Sequence, residues 1–315
     1  MRSSIFKPLL TGLLLLSFVS CVPAQQIANA KKVLQQEFNL VPQHSLKTQY
    51  FDMVSKLQVH APDGKPRGWD VYHLRLRCVP SADTSVGDEY TCLKFSVKLH
   101  DSAEVLIPAL TNWKYHFKPS ANSKDSQLFG IDHSKFENLV DENGKKLGLA
   151  STYAVYNAFI DFHSMGVFAN KTPAGKGAQD LRYIGDTVIH NSSFSKPPVN
   201  LGNQIAAGSY FQNGEITLAF KGLGLINKKA CAILGYDSGE SSFYMLMKPM
   251  PNMEITTKGS SHYWGDIYKD LVSGWIQKAT LKEMVVSQTT IPGMANKTNS
   301  VVERSILIRN VEGDD

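Results

Sequence analysis

The stretch "SSHYWGDIYKDLVSGWIQKATLKEMVV", residues 260–286, decides how the rest of the chain is read. It carries a histidine, two aspartates, a glutamate and two tryptophans, which are residue types of an active site. Its spacing points elsewhere. In "SHYWGDIYKDL", His262, Trp264, Asp266 and Tyr268 share one face at a period of two, while Tyr263, Ile267 and Leu271 fall near the other. "VSG" supplies a turn, and Asp270 just before Ser273-Gly274 is turn chemistry. "WIQKATLKEMVV" then alternates again, with Ile276, Lys278, Thr280, Lys282 and Met284 opposite Trp275, Gln277, Ala279, Leu281, Glu283 and Val285. The pattern is a β-hairpin, with Asp266, Lys269, Lys278 and Lys282 expected to pair across strands on a solvated face. His262 and Asp266 then stand about 13 Å apart along the strand, beyond the hydrogen-bond reach of an acid–base pair.

The same grammar extends outward. Residues 214–311 read as consecutive antiparallel strands: "EITLAF", "KACAILGY", "SSFYMLM", "MEITTK", the hairpin, and "SVVERSILIRN". Strands do not alternate with long helices, which excludes a parallel nucleotide-binding sheet. "KGLGL" is a lone Gly-x-Gly without a following helix, so it is no phosphate loop. Upstream, "SKLQVHA" and "GWDVYHLRLRCV" flank the turn "PDGKPR", and "EYTCLKFSVKLHD" alternates cleanly. Asn143-Gly144 is a turn; the acidic residues around it lack the ligand spacing of a calcium loop. Residues 151–169, "STYAVYNAFIDFHSMGVFA", fit a buried helix or a strand; the density of aromatic and β-branched residues favours strand. One early segment, "QQIANAKKVLQQEF", has helical periodicity. The fold class expected is therefore mainly β (α+β): antiparallel sheets, as a curved half-barrel or sandwich, with an N-terminal helix. Loop-rich stretches at 170–179 and 191–203 mark the expected boundary between a region 25–190 and a region 200–311.

The chain begins with Arg2, Lys7 and an apolar run over residues 9–19, a signal-peptide pattern over 1–24 that is too short for a membrane span. Cleavage after Ala24 competes with lipidation at Cys21 in "FVSC", a loose lipobox. The expected location is periplasmic or secreted, or, if Cys21 is acylated, the outer membrane. Later windows hold no apolar run of transmembrane length. The net charge of +5 is spread along the chain and gives no footprint for nucleic acid. Export permits a disulfide, and Cys78 and Cys92, ending two adjacent strand-like runs, are expected to form one. Cys231 is expected as a buried inert thiol. Asn170, Asn191 and Asn296 head glycosylation-type tripeptides.

This arrangement of an early helix and successive hairpins resembles LolA-like periplasmic lipoprotein carriers, over residues 26–38 and, in pattern only, 214–311. The wording from "ITLAFKGLGLINKKACAILGY" to "MKPMPNME" is also similar to uncharacterised exported bacterial proteins. The LolA-like resemblance implies a helix on a curved antiparallel half-barrel that shelters acyl chains. Neither resemblance supplies functional residues.

Three functions follow as expectations. The first is binding of a lipophilic small molecule or an envelope protein, with Phe220, Phe243, Tyr263, Tyr268 and Trp275 lining an apolar sheet face. The second is copper binding by Met245, Met247, Met250 and Met253, whose thioethers are soft ligands. The third is a hydrolase or metal-dependent enzyme using Asp161 and His163, side by side on a strand, with His133 or His262. Ser164 stands in no nucleophile-elbow context. A binding role is preferred over catalysis, and no cofactor is expected.

Overall fold

The structure is a computed structural model and describes residues 31–61, 63–83, 85–100, 102–117, 133–172, 175–193, 199–200, 206–250 and 252–313. The signal-like segment with Cys21, and residues 25–30 of the expected helix, lie outside the described residues. Lys31 to Leu34 are helical, and the chain leaves the helix before Phe38. Met1–Gln36 forms one unit and Glu37–Asp315 another.

In the second unit the strands form one open antiparallel sheet. Along the chain they are β1 (Gln49–His60), β2 (Pro66–Val79), β3 (Asp88–Lys98), β4 (Val105–Leu106) and β5 (Trp113–Phe117). A long helix, α1 (Leu149–Ala169), comes next. Then follow β6 (Thr187–Ile189), β7 (Val199–Asn200), β8 (Tyr210–Gln212), β9 (Thr217–Ile226), β10 (Lys229–Asp237) and β11 (Ser241–Met250). The chain ends with β12 (Met253–Asp270), β13 (Ile276–Thr290) and β14 (Thr298–Val311). In space the order is β4-β3-β2-β1-β14-β13-β12-β10-β9-β6, with β5 also on β3, and β11 on β12 carrying β8 and β7. The first and last strands are thus neighbours, paired from Tyr50↔Val311 to His60↔Val301. A single sheet crosses the loop-rich stretches at 170–203.

Period-two burial builds these strands. On β2, Tyr72, Leu74, Leu76 and Cys78 are buried, while His73, Arg75 and Arg77 alternate with them and are less buried. The opening hairpin is formed as its pattern predicts: β12 and β13 pair from Thr256↔Thr290 to Lys269↔Ile276, around a turn in which Asp270 accepts from the Val272 N–H and the Ser273 hydroxyl. "KGLGL" lies inside β9, which turns into β10 through Asn227 and Lys228, both at positive φ. Asp141 accepts from the N–H groups of Asn143 and Lys145, confirming a turn there.

Two expectations are corrected. Residues 151–169 are helix, not strand. This helix of 21 residues exceeds normal strand length, and it lacks a distinct polar stripe because its half-buried positions mix Tyr153, Ile160 and Val167 with Asn157, Asp161 and Ser164. Phe159 stacks on Phe95 at 5.7 Å, Phe162 meets Phe51 edge-on at 5.2 Å, and Phe168 lies 5.3 Å from Tyr236. Asp161 and His163 point roughly 200° apart on the helix, yet the first reaches Arg304 on β14 and the second Tyr115 on β5. The sheet therefore curls round α1.

The second correction concerns the cysteines. Cys78 and Cys92 are buried free thiols. Arg75 pairs with Lys94 but Leu76 pairs with Cys92, so Leu93 is an extra residue that bulges and flips the remainder of β3. Cys92 joins the buried face opposite Leu76, and Cys78 pairs with Tyr90. The two cysteines are diagonal neighbours, with a Cα separation of about 7–8 Å for such pairs, too wide for a disulfide. Cys231 is also a buried thiol.

Candidate functional site

A cavity of about 420 Å³ opens beside the C-terminal half of α1, a size within the usual range for small-molecule sites. Its walls come from distant parts of the chain. Phe162, Met165 and Gly166 present one side of α1. Phe51, Tyr90 and Phe117 are contributed by β1, β3 and β5, and Trp275 and Ile308 by the β12–β13 turn and β14. Pro42 and His44, which precede β1, Ser81 from the β2–β3 connection and Asp88 at the start of β3 border it as well. The lining is more apolar than polar, with Gln43, His44, Ser81, Asp88, His163, Asn170 and Lys171 as its polar side chains beside Tyr90.

Deep in the wall, His163 Nε2 stands 2.9 Å from the Tyr115 hydroxyl and its ring stacks on Phe117 at 3.8 Å. Burial alone pushes its pKa down to about 3, so the ring is neutral at ordinary pH. It is a polar core residue within an aromatic cluster.

At the end of α1 the polar groups converge. Lys269 of β12 is 1% exposed. Its Nζ donates to the Ala169 carbonyl at 2.7 Å and to Asn170 Oδ1 at 2.8 Å. A cation at a helix C-terminus meets the negative end of the helix dipole and the open carbonyls there. Burial still lowers the Lys269 pKa to about 7. This corrects the expectation that Lys269 lies on a solvated face: it is on the inner face with Ile267. His44 Nε2 is 2.9 Å from the same Asn170 oxygen, and its pKa is lowered by burial and by the nearby Lys269 charge. The Trp275 indole donates to the Ser45 carbonyl at 2.9 Å, holding the segment before β1 over the cavity.

A second buried polar cluster lies farther along α1. Arg304 donates to Asp161 with both Nη groups and to Glu283 through Nε, and Ser261 donates to Glu283. Burial raises the Asp161 pKa, and Arg304 opposes that shift. The charges of Asp161 and Glu283 outweigh desolvation at Arg304 and keep its pKa above the ordinary value. This is an ionic tie between helix and sheet.

The remaining expected site residues scatter. Asp161 and His163 do not meet, because a helix sends them to opposite walls. His262 pairs with Asp237 at 2.9 Å and Asp266 with Lys221 at 2.6 Å, both on the outer face. Ser164 donates to the Ile160 carbonyl at 2.8 Å. The side chain of His133 lies outside the description. Of the five expected lining residues, Trp275 alone borders the cavity. Phe220 is fully buried against Phe38. The Tyr263 hydroxyl donates to Asn213 at 2.6 Å. Phe243 packs over Gly259 on the inner face, and Tyr268 lies under the Lys278 ammonium. Met245 and Met247 face Thr257 and Ile255 across the β11–β12 hairpin, and Met250 faces Met253, so all four methionines share one side. Among the described residues, no group of three His, Cys, Asp or Glu side chains is placed to hold a metal. Sequence reasoning missed Phe51, Tyr90, Phe117 and Phe162, because each reads as ordinary core until the fold brings them together. No protein-family model matches the chain, and no curated protein matches it.

Proposed function

We propose that this is an exported carrier or receptor for an apolar small molecule, held in the cavity between α1 and the curled sheet. The aromatic-walled space of about 420 Å³ carries this reading. It has room for roughly a dozen water-sized groups. Export rests on the signal-like start of the sequence, and acyl-chain binding is what the LolA-like resemblance implies. Catalysis has less support, since among the described residues the candidates Asp161, His163 and His262 do not come together. Titration with an environment-sensitive naphthalene dye tests the proposal. Saturable binding to the native chain is expected, with loss of binding in Gly166→Leu, which fills the space; equal binding by both proteins would refute it.

A second reading rests on the shared face of the four methionines. It predicts Cu(I) binding at the β11–β12 hairpin, which a quadruple Met→Leu variant abolishes. Unchanged Cu(I) binding by that variant removes this reading.

A further inference from the structure

The polar end of the cavity has a chemical preference of its own. A lysine ammonium can only donate hydrogen bonds. The Asn170 atom 2.8 Å from Lys269 Nζ is therefore the amide oxygen. That oxygen leaves His44 Nε2, 2.9 Å away, as a donor too. With Oδ1 held by two donors, the Asn170 NH2 group is turned the other way. It faces Gly166, where a Cβ would lie 4.0 Å from Nδ2, and both residues border the cavity. Among the described residues this NH2 group has no acceptor.

The charges nearby have the same sense. Lys269 stands behind Asn170, outside the cavity lining, and has no carboxylate partner among the described residues. Lys171 stands at the cavity's edge. The opposing charge is Asp88, which accepts from the Ser81 N–H at 3.0 Å and lies near enough to His44 to favour that ring's charged form. His44, His163 and Tyr90 complete the ionisable lining.

We propose that the cavity selects amphiphiles with a carboxylate head, the head accepting from Asn170 Nδ2 and paired with Lys171 while the tail lies against Phe51, Phe162 and Trp275. This rests on the proposed apolar-ligand site and names the class of ligand. The full chain is titrated with dodecanoate, methyl dodecanoate and dodecylamine, following tryptophan fluorescence. Dodecanoate is expected to bind at least tenfold more tightly than dodecylamine, with the ester between. Asn170→Asp replaces the two donors by an acceptor while still accepting from Lys269 and His44, and its circular dichroism is compared with that of the native chain to establish that the fold is kept. It is expected to weaken dodecanoate at least tenfold and to bring dodecylamine to equal or tighter binding. If all three bind equally, or if Asn170→Asp leaves their order unchanged, the head-group inference is overturned and the apolar site stands. If none binds, the proposed function fails with it.

Discussion

Arg304, near the end of the chain, forks onto Asp161 in the middle of α1, joining residues 143 positions apart. The same guanidinium holds Glu283 on the neighbouring strand. Arg304→Met would leave two carboxylates enclosed without their cation. Removing one partner of such a buried pair is destabilising by about 3–5 kcal/mol. Urea unfolding should show a loss of that order, and a much smaller one when Asp161, Glu283 and Arg304 are all replaced by apolar residues of similar volume. Equal losses in the two variants would show that the ion pair itself is not what binds helix to sheet.

Acid should destabilise the protein through its buried imidazoles. His163 and His190 have folded pKa values lowered by burial to about 3 and about 4. The unfolded chain takes up protons near pH 6.5, while the native chain refuses them. Stability is therefore full above pH 6.5 and falls as the pH drops toward 4, by up to about 1.4 kcal/mol per pH unit for each histidine. In His163→Gln the slope between pH 6.5 and 4 is expected to be shallower by one histidine's share. An unaltered slope means that His163 is protonated in the native state.

On the alkaline side the sign comes from Lys269. Its folded pKa of about 7 lies below the ordinary lysine value of 10.5. Between pH 7 and 10 the unfolded chain holds a proton there that the native chain lacks, so stability rises with pH across that window. Lys269→Met should remove the rise by chemical unfolding at pH 7 and pH 10, and its flattened profile is the diagnostic. A rise that persists in the variant must come from another group.

Redox conditions should leave the fold untouched. Burial raises the Cys92 pKa to about 12 and lifts that of Cys78 as well, so both are protonated and unreactive. Thermal unfolding with and without dithiothreitol should superimpose, and a thiol reagent should label Cys78 and Cys92 only after denaturation. A midpoint that drops on reduction would reinstate the bridge.

Half-buried antiparallel strands alternate, and that is why the Ser260 hairpin and most of the sheet are legible in sequence. Helix α1 is not, because apolar residues also occupy its half-buried positions and no polar stripe marks a face. The cysteine pairing fails at one residue: alternation through β3 is read as regular, and the bulge at Leu93 moves Cys92 to the other face. Lys269 gave a usable sign, since parity with Ile267 and Leu271 places it inside, but its charge argues for the surface. Asn170 reads as a glycosylation acceptor, and the fold makes its amide part of the cavity wall. The cavity itself is a product of topology, its aromatic walls coming from β1, β3, β5 and α1.

The seam between β1 and β14 also sets when the protein can exist. Residues 50–60 wait, with one edge unpaired, for residues 301–311 to be made, and eleven rungs from Tyr50↔Val311 to His60↔Val301 close only then. Such distant pairings form slowly, because the intervening chain must be gathered first. A nascent chain that has not yet reached residue 301 has β1 and β13 with nothing between them. The middle of the sheet is thus a late event of synthesis, and every strand made earlier must stay unaggregated until it happens.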